Sequence, residues 1–251
     1  MNLGTPARAA GTLRPQVVAL IAGVAVAAAA IGFAAALTAG DGDLGLLAVL
    51  AAFTVVAELF DVRLYRDSRV SLSAVAIMAA GTVTGLTGVA LIGLVAALSD
   101  QAAHRKPFYK TVFNAGTLVL SGAAYVGVFE AFPVGSDSRD WPTLIFPALA
   151  GAFANFVVNA MLVGLVVSMD SGQKLWRLCE HSVRTLLPFY AVFGVLAAAM
   201  ASAYELDGLH AMAAVIVPVL MMRFTMKRAV EPFAETTASE VEADLEPVRT
   251  G

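Results

Sequence analysis

A chain of 251 residues that is 59% hydrophobic and only 14% charged, with a mean hydropathy of +0.79, cannot be a water-soluble globular domain, because no aqueous core absorbs that much apolar surface. The net charge of −3 says less than the places where the charges fall. A single cysteine, Cys179, excludes an intrachain disulfide and any CxxC metal cluster.

The first apolar run, Gln16–Ala39, is uncharged over more than the roughly 20 residues that a helix needs to cross hydrocarbon. It is also longer than the roughly 7–15-residue apolar segment of a secretion signal, so it reads as an uncleaved first span despite the small residues before Gly40. Further runs follow at Leu44–Phe60, Val70–Val83, Leu86–Leu98, Thr111–Phe132, Trp141–Met169, Leu186–Tyr204 and Leu209–Met222. The expected fold is an all-α integral membrane bundle of about eight segments, six long spans plus a short hairpin over 70–98. Each arm of that hairpin has about 14 residues, about 21 Å as a helix, so the pair reads either as two short spans or as a re-entrant hairpin. Residues 1–14 form a cytoplasmic lead, 15–228 the membrane domain, and 229–251 an acidic tail too short and too polar to fold alone.

The joints alternate in charge. Arg8 and Arg14, then Arg63, Arg66 and Arg69, then Arg105, Lys106 and Lys110, then Lys174, Arg177 and Arg184, then Arg223, Lys227 and Arg228 share one side; Asp41, Asp43, Glu130, Asp137, Asp140, Glu205 and Asp207 share the other. Fifteen of the sixteen Lys and Arg residues, all but Arg139, fall on the first side. Positive joints face the cytoplasm, which predicts a multi-pass protein of the bacterial inner (cytoplasmic) membrane with both termini inside.

Polar groups within apolar runs are costly and therefore mark candidate sites. Asn114 near the start of the fifth run, Asn155 and Asn159 four residues apart in the sixth, and Glu58 near the end of the second are candidate ligand-binding residues. The same amides also suit hydrogen bonding between helices, and Glu58 suits a local ion pair with Arg63. Asp100, Arg105, Lys106, Tyr109 and Lys110 form a charged cytoplasmic lip, with Pro107 suited to a first helical turn and Phe108 and Tyr109 to the interfacial aromatic belt. Three cations at such a lip do not make the basic field that nucleic-acid binding needs, and no P-loop lysine follows "GTVTGLTG". His104, His181 and His210 are predicted at different ends of helices, so no shared metal site and no cofactor is expected. Without GxSxG, HExxH or a paired carboxylate cluster, no catalytic residue is assigned and the chain does not read as an enzyme.

The segments "AELFDVRLYRDSRVSLSAVAIMAAGTVTG" from Ala57 and "KPFYKTVFNAGTLVLSG" from Lys106 resemble the N-terminal multi-span membrane sensor region that precedes HD-GYP or GGDEF output domains in bacterial cyclic-di-GMP turnover proteins. The likeness runs over roughly 15–230 and is most specific at Glu58–Val62 and at Lys106–Asn114. It implies a sensing module in the bilayer; with no HD pair, GYP or GGDEF sequence in the chain, signalling passes through a cytoplasmic partner. The expected function is therefore the binding or sensing of a small molecule or lipid, with a transporter or the substrate-capture subunit of an uptake system, served by an energy-coupling partner, as the alternative.

Overall fold

In the computed structural model the described residues are 14–38, 43–59, 62–65, 68–70, 72–133 and 141–249; side chains of 38, 60–71, 141, 181 and 222–251 lie outside the description. The elements are α1 (Pro15–Thr38), α2 (Leu44–Leu59), β1 (Val62–Tyr65), β2 (Ser68–Val70), α3 (Ser73–His104), α4 (Phe108–Glu130), α5 (Trp141–Ser171) and α6 (Leu175–Arg249). Five helices are long and apolar enough to cross a membrane: α1, α3, α4, α5 and the Leu175–Met221 part of α6, with α2 shorter. Many of their large apolar side chains face outward, among them Phe33, Leu37, Phe146 and Val26. Such a surface suits a bilayer rather than water.

The helices pack in a chain of neighbours, α2 on α3, α3 on α4, α4 on α5 and α5 on α6, with α1 against α3 and α4. The core lies where α2, α3, α4, α5 and α6 meet, around Leu46, Leu50, Ile77, Met78, Ile92, Tyr125, Leu144 and Met200. α1 buries only a narrow stripe, Val17, Val24, Ala28 and Ala35, at intervals of one or two turns, and shows its other faces outward. That places it at the rim of the bundle. Small residues set the spacing between helices: a methyl group added at Gly122 would lie 2.5 Å from Val89 Cγ1, and one at Gly151 would lie 2.7 Å from the Tyr125 ring. Backbones that close leave no room for a side chain.

Two helices are broken by glycine. Gly85 in α3 has φ 62° and ψ −144°, and Gly208 in α6 has φ 63° and ψ −145°, nearly the same conformation. This region of backbone space is open to glycine and closed to residues with a Cβ. At Gly85 the chain folds back: Gly88 comes against Ala80 and Gly81 against Val89, pairs that a continuous helix would hold about 12 Å apart at 1.5 Å per residue. α3 is therefore a helical hairpin with arms 73–84 and 86–104, matching the turn expected in "GTVTGLTG".

The structure also differs from the sequence expectation in three places. The charged joint after α2 is an antiparallel ribbon pairing Val62 with Val70, Arg63 with Arg69 and Tyr65 with Ser68, with an irregularity between Arg63 and Tyr65. Val62, Tyr65 and Val70, residue types with high strand propensity, favour extended backbone over a loop here. The helix expected from Leu186 starts at Leu175, so the cationic segment with Lys174, Arg177 and Arg184 leads into it. Helical backbone also continues to Arg249 through the acidic segment that reads as unfolded, where alanine and glutamate have high helix propensity. The glutamate-bearing tail and the arginines of the ribbon keep their side chains outside the description, so the Glu58–Arg63 pairing expected from sequence lies outside it too.

The glycine breaks give a direct test. Gly85→Ala and Gly208→Ala should each destabilise the protein by about 1–3 kcal/mol, read as a lower thermal unfolding midpoint in detergent. Gly127→Ala, on a helical surface with no atom within 4 Å of the new methyl, should leave stability unchanged or raise it by up to about 1 kcal/mol.

Candidate functional site: a polar face along α4

Thr111, Asn114, Thr117, Ser121 and Tyr125 follow one another at spacings of three and four, so they share a side of α4. At its lower end Thr111 donates a short hydrogen bond to Gln101 Oε1, whose amide donates to the Lys106 carbonyl at 2.6 Å. Asn114 Nδ2 reaches 3.5 Å from Asp100 Oδ2. At its upper end the buried Tyr125 hydroxyl meets Thr82 Oγ1 at 2.7 Å, and Thr82 donates onward to the Met78 carbonyl at 3.0 Å. Tyr125 is therefore the donor of that pair.

Between these ends the accounting does not close. Thr117 is fully buried and its Oγ1 has no hydrogen-bond partner, the one such side-chain atom among the described residues. Ser121, a turn away and equally buried, donates to the Leu118 carbonyl at 3.2 Å. α5 supplies the facing wall. Gly151 abuts Tyr125, and Asn155, one turn further along α5, is buried. A buried hydroxyl without a partner costs about 1–3 kcal/mol. Proteins meet that cost with a bound water or ligand.

The structure divides the residues expected to share a site. Asn114 is drawn to the α3–α4 joint by Asp100, and Asn155 is buried on α5. Asn159, which faces α6, donates to the Tyr190 hydroxyl at 2.9 Å. Tyr190 is held between the rings of Phe156 and Phe193, at centroid distances of 5.2 and 5.7 Å. Residues four apart on a helix differ by about 40° in direction, so a shared face does not oblige them to share a partner. Glu58 is buried near the end of α2. Thr117, Thr82 and Tyr125 were not singled out from sequence, although the three-and-four spacing that begins at Asn114 runs through two of them.

The lip is a compact ion cluster. Asp100, 6% exposed, receives Lys106 Nζ at 2.7 and 2.5 Å on its two oxygens and has His104 Nδ1 at 2.9 Å. Arg105 ends α3 in the left-handed conformation, φ 48° and ψ 43°, and its amide donates to the Gln101 carbonyl at 2.9 Å. That turn swings Lys106 back under the helix and lets Pro107 cap α4. Arg105, Tyr109 and Lys110 are exposed and take no part in the cluster. At the opposite end of the bundle Asp43 caps α2, accepting from the amides of Gly45 and Leu46 at 2.8 and 3.2 Å and from the Tyr204 hydroxyl. The Tyr204 hydrogen bond first, then the Leu46 and Gly45 amides, hold the Asp43 carboxyl below its ordinary pKa of 3.8 against a smaller opposing effect of desolvation. Among the described residues no group of three His, Cys, Asp or Glu side chains is placed to hold a metal ion.

These features define a helical protein with several segments able to span a membrane and a polar seam inside its apolar core. No protein-family model, curated protein or solved structure matches the chain.

Two measurements check the electrostatics. Lys106→Met should destabilise the protein by about 1.5–3 kcal/mol by stranding a buried carboxylate, whereas pairing it with Asp100→Leu should recover most of the loss, as a double-mutant cycle in chemical or thermal unfolding will report. Because the Asp43 carboxyl binds its proton less readily when folded, its contribution to stability is complete above pH 3.8 and is lost as pH falls through the lower folded value. Asp43→Asn should flatten that part of the stability-against-pH curve.

Proposed function

We propose that this chain is a multi-pass protein of the bacterial cytoplasmic membrane that binds a small uncharged polar molecule, or the polar group of a lipid, in the seam between α4 and α5, and reports occupancy to a cytoplasmic partner. The observation that carries this reading is Thr117 Oγ1, buried in the core without a partner, between Asn114 and Ser121 on its own helix. The seam offers amide and hydroxyl groups and no charged side chain at its middle, which suits a neutral ligand. Eight crossing segments with both termini inside account for the two glycine breaks, each dividing one long helix into two apolar arms, and for the gathering of cationic joints on one side. A sensing role also agrees with the resemblance carried by Glu58–Val62 and Lys106–Asn114.

A transporter or a substrate-capture subunit is the second reading, favoured by the length of the polar face. It runs from the Asp100 cluster to Thr82, near the far end of α4, so polar groups accompany most of the helix. The breaks at Gly85 and Gly208 speak against a transporter's mid-membrane unwound helix, since both sit where the chain turns back at a bundle end.

Native mass spectrometry of the protein released from nanodiscs should show a co-purifying small molecule that is lost from Thr117→Val and from Asn155→Leu and kept by Asn159→Leu. Retention by both seam variants, with their folding intact by thermal melt, refutes the seam site. Uptake of the released molecule into proteoliposomes selects the transporter, and its absence the sensor.

A further inference from the structure

At the end of α4 away from the Asp100 cluster, the tip of the α3 hairpin and the last turn of α4 enclose a cavity of about 260 Å³ bordered by Thr82, Gly85, Phe129, Glu130 and Phe132. This volume lies just under the roughly 300–1,000 Å³ of sites for drug-sized ligands, so its occupant is small. We infer that the cavity is a binding site for a small organic ammonium ion, separate from the α4–α5 seam.

The polar groups on its wall decide the sign of the ligand. Glu130 brings a carboxylate, and among the described residues no cation pairs with it. Thr82 spends its proton on the Met78 carbonyl and accepts the proton of Tyr125, so toward the cavity it presents only a remaining lone-pair direction. Both groups accept and neither donates. The complementary ligand is a donor, and beside a carboxylate it is a cationic one.

Aromatic rings complete the site. The Phe129 ring is stacked on Tyr125 with centroids 5.8 Å apart and planes at 18°, and the Phe132 ring is held edge-on by Phe146 at 5.3 Å and 88°. Rings fixed in this way present a defined π-surface, and a cation over such a face gains about 0.5–2 kcal/mol. Gly85, whose backbone conformation at φ 62° favours glycine, brings the turn of α3 beside Glu130: a Cβ there would stand 3.9 Å from Glu130 Oε1. The carbonyl end of α4 adds negative potential at this point, while the amide end of the second α3 arm offsets it in part. Glu130 therefore supplies the deciding charge.

The experiment titrates benzylammonium and its neutral isostere benzyl alcohol against the full chain in nanodiscs, followed by saturation-transfer NMR with empty nanodiscs as background. Benzylammonium should bind above background and benzyl alcohol at least tenfold more weakly. Glu130 is exposed, so Glu130→Gln should keep the fold and lose benzylammonium binding at least tenfold, while Glu130→Asp stays within about threefold of wild type, as expected when carboxylate charge is retained. Asn155→Leu, which removes a seam residue, should leave the titration unchanged, so that a failure here and a failure of the seam site are told apart. Equal binding of the two probes, no binding above the empty discs, or an unaltered titration in Glu130→Gln overturns the proposal.

Discussion

The backbone's need to satisfy its own hydrogen bonds wherever water is excluded governs this molecule. Within hydrocarbon each unpaired amide or carbonyl costs several kcal/mol, so apolar segments of this length close their bonds inside helices. Departures from helix are then confined to positions that tolerate them. Here they fall at Gly85 and at Asp207–Gly208, where the chain turns back, and at Arg105, where the left-handed residue still bonds its amide to Gln101. The ribbon after α2 meets the same need by another route, pairing its two strands with each other.

Once the backbone is satisfied, contacts between helices depend on shape and on a few polar side chains. Lipid tails are as apolar as leucine, so close approach rather than hydrophobic burial drives association. Gly122 against Val89, Gly116 against Val24 and Gly151 against Tyr125 are among the closest of these approaches. The polar side chains then sort by depth. At the joints they form charged clusters, Asp100 with Lys106 and His104 at one end and Asp43 with Tyr204 at the other. Inside the core they are neutral, and most have partners: Thr54 with the Leu50 carbonyl, Thr82 with Met78 and Tyr125, Asn159 with Tyr190.

Against that background Thr117 is the exception among the described residues, a buried hydroxyl without a partner. Its neighbour Ser121 shows the ordinary alternative, turning back to a backbone carbonyl within its own helix. The acceptor-only lining beside Glu130 is a different kind of incompleteness, one of charge rather than of hydrogen bonds. Both features lie on α4, Thr117 in its middle and Glu130 at its end.

Composition and the placement of charge were enough to establish apolar helices, their approximate bounds and the turn in "GTVTGLTG", because these follow from local hydropathy and from glycine's backbone freedom. The ionic partnership of Asp100 with Lys106 was legible for the same reason, since the two groups are six residues apart across one short joint. Which amides meet was a matter for the tertiary structure alone. Asn155 and Asn159 look equivalent along the chain, yet one is buried and the other, half-buried, binds Tyr190, thirty-one residues away. A difference of about 40° around a helix is decided by which neighbour packs on which side. For the same reason Thr117 without its helix neighbours is only a threonine in an apolar run, and its missing partner exists only once the bundle has closed around it.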